Sequence, residues 1–197
     1  MLDRVGDEIA RATSIVRYAP GSRFSAHVHH GGEEFFVLDG VFQDEHGDYR
    51  AGNYIRNPPQ TQHTPGSSEG CVIFVKLRQF DLADRTAVVI DTNKVTASVA
   101  AGRDGVTVIA LFHDAYEDVR VEHWPPNAEL LSQPEGGLEL LVLSGSFNCE
   151  IDNFIEHSWL RLPVGAALQA KAGAEGCRVW VKEGHLRFAN FIVDSME

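Results

Sequence analysis

Gly21-Ser22-Arg23-Phe24-Ser25-Ala26-His27-Val28-His29-His30-Gly31-Gly32-Glu33 is the stretch from which the chain is best read. His27 and His29 are two residues apart, so on a strand both imidazoles point to one face. Glu33 keeps the same parity if the strand runs on without a bulge, whereas His30 and Glu34 do not. Two imidazoles and a carboxylate on one face form a donor set for zinc, iron or manganese. A fourth donor has to come from another strand. His63 is the candidate, because it follows the turn signal Asn57-Pro58-Pro59-Gln60.

Around this stretch, strand signals dominate. Phe35–Leu38, Val72–Val75, Val106–Ile109 and Leu140–Leu143 are short β-branched or aromatic runs close to Gly, Asp, Ser or Pro. Only Asp7 to Ala12 offers a helical turn. Eighteen glycines and eight prolines among many short strands point to an all-β sandwich or barrel.

The chain also matches itself at an offset of 105. Gly31-Gly32 falls on Gly136-Gly137, Glu34 on Glu139, and Val37-Leu38 on Val142-Leu143. Gly40 falls on Gly145, Phe42 on Phe147, Arg56 on Arg161, and Pro58 on Pro163. With one inserted residue, Glu69-Gly70-Cys71 meets Glu175-Gly176-Cys177. An ordered series in one register indicates a tandem duplication, with residues 1–90 as a metal-binding copy and 91–197 as a second copy. At this offset His27, His29, Glu33 and His63 become Ser132, Pro134, Leu138 and Leu168, so the second copy is expected to bind no metal.

The spacings resemble those of the cupins. Their first motif, G-x5-H-x-H-x3/4-E-x6-G, is met by Gly21, His27, His29, Glu33 and Gly40. Their second, G-x5-P-x-G-x2-H-x3-N, is met by Gly52, Pro58 and His63, with Gln60 for the glycine and Ser67 for the asparagine. The wording His29-His30-Gly31-Gly32-Glu33-Glu34, Tyr54-Ile55-Arg56-Asn57-Pro58-Pro59 and Lys76-Leu77-Arg78 is similar to the cupins of ChrR-type anti-sigma proteins. That resemblance is closest over residues 15–80. It implies a tandem cupin, or bicupin, with zinc held by His27, His29, Glu33 and His63. The family's sigma-binding domain, with its own His/Cys zinc pattern, has no counterpart among Cys71, Cys149 and Cys177.

Two functions follow as expectations. One is a zinc-binding, stress-sensing regulatory module, related to the anti-sigma cupins, that responds to a small ligand or oxidant and signals to a protein partner. The other is a metal-dependent dioxygenase or isomerase acting on a small dicarbonyl or acid, with iron, manganese or nickel in place of zinc. Glu34, Arg56, Tyr54 and Gln60 are candidate pocket residues beside the metal, and a homodimer is an open alternative.

Composition narrows the partners. Among 197 residues, 17 Lys and Arg stand against 28 Asp and Glu, a net charge of −11 that disfavours nucleic acid and anionic membranes. No apolar run is long enough to span a bilayer, and Met1–Glu8 carries no secretory signal. Three cysteines without paired spacing suit a reducing cytoplasm.

Overall fold

A computed structural model describes residues 1–7 and 9–188. The chain divides into two compact units, Met1–Val95 and a second that begins at Thr96. Both are built from antiparallel strands. The described residues contain no α-helix, only one 3₁₀ turn at His185–Phe188. Of the expected helical turn at Asp7 to Ala12, Arg11 and Ala12 belong instead to a strand in which Ala12 pairs with Leu77, and Glu8 lies outside the described residues.

The first unit contains β1 (Asp3–Val5), β2 (Arg11–Tyr18), β3 (Ser22–Arg23), β4 (His27–His29), β5 (Glu33–Asp44) and β6 (Gly47–Arg50). It continues with β7 (Asn53–Asn57), β8 (Thr61–His63), β9 (Gly66–Ser67), β10 (Cys71–Leu77) and β11 (Val88–Asp91). Its main sheet runs β1-β2-β10-β5-β7-β11, and β4 pairs with β8 as a separate ribbon. Alternation along β5 sorts the side chains. Phe35 and Val37 join Phe42, Ile55, Ile73 and Val75 in one apolar core, and Glu33 shares their parity.

The second unit contains β12 (Ser98–Val99), β13 (Thr107–His113), β14 (Asp118–Trp124) and β15 (Glu129–Ser132). It ends with β16 (Leu138–Cys149), β17 (Asn153–Ile155), β18 (Trp159–Leu162) and β19 (Leu168–Glu183). Its sheet order is β12-β13-β14-β19-β16-β17. Trp124, Leu138, Leu140, Phe147, Leu160, Leu162 and Leu168 fill the interior. Each such side chain contributes about 1.5–3 kcal/mol by leaving water.

The duplication is written into the backbone. Strands β5 and β16 have the same length and begin 105 residues apart. In each, one leucine is skipped in the pairing, Leu38 against β10 and Leu143 against β19, which makes a bulge at the same place. The next turn needs glycine: Gly40 and Gly145 have φ of 70° and 73°. A Cβ there would lie 2.1 Å from the Gly70 carbonyl oxygen or 2.2 Å from that of Gly176.

Candidate metal centre

The β4–β8 ribbon sets the site. His27 lies directly opposite His63, and His29 opposite Thr61, so both His27 and His63 present side chains on the same face. His29, two residues along, joins them. The turn between Pro58 and Thr61 is closed by Thr61 Oγ1 donating to the Pro58 carbonyl at 2.7 Å. Gln60 occupies the motif's glycine position with φ of 71°, and its N–H donates to the His29 carbonyl at 2.8 Å. Ser67, in place of the motif's asparagine, is buried and donates to the Val41 carbonyl at 2.6 Å.

Glu33 reaches the site differently from the run-on strand expected above. The chain turns at Gly32, φ 77°, where a Cβ would sit 2.5 Å from the Phe80 ring. Glu33 then enters as the first residue of β5. Its Oε2 lies 3.4 Å from His29 Nε2 and 3.6 Å from His63 Nε2, and it accepts from Asn57 Nδ2 at 3.3 Å.

The donor atoms of His27, His29 and His63 lie within 4.8 Å of one another, close enough for one ion. Two rings are oriented from behind. His27 Nδ1 meets the Ser25 carbonyl at 3.0 Å and His63 Nδ1 meets Asp44 Oδ2 at 3.1 Å. Carbonyl and carboxylate oxygens only accept, so the protons sit on Nδ1 and the Nε2 lone pairs are left for a ligand. His29 Nε2 is buried and has no hydrogen-bond partner.

Electrostatics distinguish the donors. Burial, followed by the charges of His63, His27 and Arg78, lowers the His29 pKa to about 3, which keeps the ring neutral. Burial raises the Glu33 carboxyl against the pull of His63 and Asn57. Burial alone would lower His63, but the Asp44 hydrogen bond and the charges of Glu33, Asp44 and Glu45 outweigh it and raise its pKa. Asp44 is opposed by burial yet held low by His63 and the His46 N–H.

The other sequence candidates lie elsewhere. Glu34, Tyr54 and Arg56 have the opposite parity to Glu33 and point to the other face of the sheet. There Tyr54 donates to Glu34 Oε2 at 2.7 Å. Arg56 pairs with Asp84, donates to the Thr86 carbonyl at 3.0 Å and lies over the Phe80 ring. Gln60 is exposed at its turn. The space beside the imidazoles is a pocket of about 300 Å³ lined by Val16, Tyr18, Ile73, Val75, Leu77 and Arg78 together with His27, His29 and Glu33. Sequence reasoning missed Asp44, Tyr18 and Arg78. Only the ribbon register and the sheet order bring them to the site.

In the second unit, Ser132 lies opposite Leu168 across β15 and β19, the same rung that His27 and His63 occupy. Leu138 and Leu168 are buried in hydrocarbon. Among the described residues the only group arranged for a metal is the one in the first unit.

Residues 1–81 match the family described as the ChrR cupin-like domain. Over the whole chain the fold is that of a bicupin. A candidate dioxygenase from Nostoc punctiforme superposes with a TM-score of 0.77 at 14% identity, over 88% of this chain and 68% of that one. Salicylate 1,2-dioxygenase from Pseudoaminobacter salicylatoxidans gives 0.67 at 10% identity, over 91% and 69%. A conserved-barrel cupin from Leptotrichia buccalis gives 0.62 at 9% identity, over 92% and 87%. At these identities the likeness is one of fold. No curated protein matches the chain. No described helix is long and apolar enough to cross a membrane.

Proposed function

We propose that this ChrR-like bicupin is a metal-dependent sensing module. Residues 1–90 hold one divalent ion, zinc, through His27, His29, His63 and Glu33, and residues 91–197 form a metal-free partner cupin. The observation that carries this is His29 Nε2, a buried nitrogen with no hydrogen-bond partner, 3.4 Å from the Glu33 carboxylate. Leaving such an atom unsatisfied costs about 1–3 kcal/mol, and coordination removes the cost. Three imidazoles and one carboxylate suit a borderline ion such as zinc.

A bound divalent ion would polarise an oxygen of a small ligand entering the pocket. The chain's own residues do the rest. Ser25 and Asp44 hold the rings of His27 and His63. Val16, Ile73, Val75 and Leu77 exclude water from one side. Tyr18 stays a neutral phenol, because burial and then the charges of Glu33 and Cys71 raise its pKa. In this reading the module works in the cytoplasm, binds a small ligand or oxidant, and passes the change to a protein partner.

A second reading is supported by the pocket beside the donors. With iron in place of zinc, the same site would be that of a dioxygenase acting on a small dicarbonyl or acid. The test is metal analysis of the chain purified without added metal. Zinc at one equivalent, lost in His29→Ala, is expected. Stoichiometric metal retained by His29→Ala would overturn the placement, and iron with oxygen uptake on a diketone would favour the second reading.

A further inference from the structure

We infer that Arg78 is the anion-binding residue of the metal pocket, and that the ligand is a small carboxylate with an apolar body. This rests on the metal reading above and names the ligand class of the same site.

The argument begins with the backbone. Arg78 follows β10 with φ of 57°, a left-handed conformation that is costly for a residue with a side chain. Its N–H donates to the Gly32 carbonyl at 2.9 Å. The second unit makes the same closure with Gly184, φ 92°, whose N–H donates to the Gly137 carbonyl at 3.0 Å. Glycine meets this geometry without strain, so the fold does not require arginine here. The first unit tolerates the strain and thereby places a cation at the pocket.

The surroundings say what that cation would hold. Among the described residues no carboxylate forms an ion pair with the Arg78 guanidinium, although the chain carries a net charge of −11. Arg78 lines the pocket with His27, His29 and Glu33, and its charge acts on His29. With a divalent ion in place, one carboxylate faces an ion and a guanidinium, so the pocket attracts anions. Guanidinium matches carboxylate through two parallel hydrogen bonds. The Tyr18 phenol adds a neutral donor, and Val16, Ile73, Val75 and Leu77 accept an apolar body.

The equivalent positions in the second unit have closed. By strand register Tyr18 corresponds to Trp124 and Val16 to Glu122. Trp124 is 2% exposed and donates to Glu122 at 2.7 Å, and Arg103 and Arg120 clamp the same carboxylate. There the arginines are consumed in internal pairs, whereas Arg78 has no such pair among the described residues.

The probe is benzoate, titrated calorimetrically into the zinc-loaded full chain, with neutral benzamide as its isostere and zinc content measured in parallel. Benzoate should bind one to one. Arg78→Met should weaken it at least tenfold with zinc unchanged, Arg78→Lys should restore part of the affinity, and benzamide should be indifferent to both. Equal benzoate affinity in Arg78→Met, or no benzoate binding by a zinc-loaded chain, would overturn the inference. If zinc does not load, the metal reading fails by itself. Arg78-dependent benzoate binding by that metal-free chain would still support the anion site, and its absence would overturn it.

Discussion

In the first unit His63 faces His27 across β4 and β8, while in the second Leu168 faces Ser132 across β15 and β19. The frames agree down to a skipped leucine and a left-handed glycine, yet one interior is polar at its mouth and the other is filled with hydrocarbon. The difference shows that the barrel does not need the imidazoles. Leu138 and Leu168 stabilise the second unit by burial. His29 and Glu33 hold buried polar groups that gain little without a ligand. A fold that manages without these groups in one copy and keeps them in the other carries them for chemistry.

The largest expected effect comes from forcing the two units to resemble each other. Leu138→Glu places the first unit's carboxylate in the second unit's core, where no donor set receives it. A loss of about 3–5 kcal/mol in the second unit is expected. All three tryptophans, Trp124, Trp159 and Trp180, belong to this unit, so denaturant unfolding followed by fluorescence reads it selectively.

Acid should also weaken the second unit. Burial opposes ionisation of Glu122, but Arg103, Arg120 and Trp124 outweigh it and hold its pKa below the ordinary value of 4.5. A carboxylate lowered in the folded state gives stability that is present above its unfolded pKa and lost as pH falls through the folded one. Tryptophan-monitored stability should therefore decline as pH drops below about 4.5, and Glu122→Gln should flatten that decline.

Asp44→Asn tests the support behind His63. The asparagine can present an N–H to Nδ1 and favour the wrong tautomer, so zinc affinity should fall about 10–100-fold, measured by competition with a chelator. The smallest effect lies at the turn. Gln60 has φ of 71° where the second unit has Gly165 at 84°, so Gln60→Gly should stabilise the first unit by about 1 kcal/mol in thermal unfolding.

These residues also mark how far the sequence could be read. The bicupin fold was legible because strand runs, glycines and Pro58/Pro163 recur in one register. The nearness of His27, His29 and His63 was legible from a two-residue spacing and one turn. Glu33 was placed near them by a parity that assumed an unbroken strand, yet the chain turns at Gly32 and brings it in from β5. Asp44, Tyr18 and Arg78 were not legible, since each meets the site through pairings between distant strands. Glu34, Tyr54 and Arg56 were nominated for the pocket by proximity in sequence, but alternation from Glu33 turns them to the other face.

The most direct test of the contrast between the units is the metal stoichiometry of the full chain, stripped with a chelator and titrated with zinc. One equivalent bound tightly, with the second unit's tryptophan fluorescence unmoved, is the predicted result. Two tight equivalents per chain, or one that survives replacement of both His27 and His63 by alanine, would contradict it.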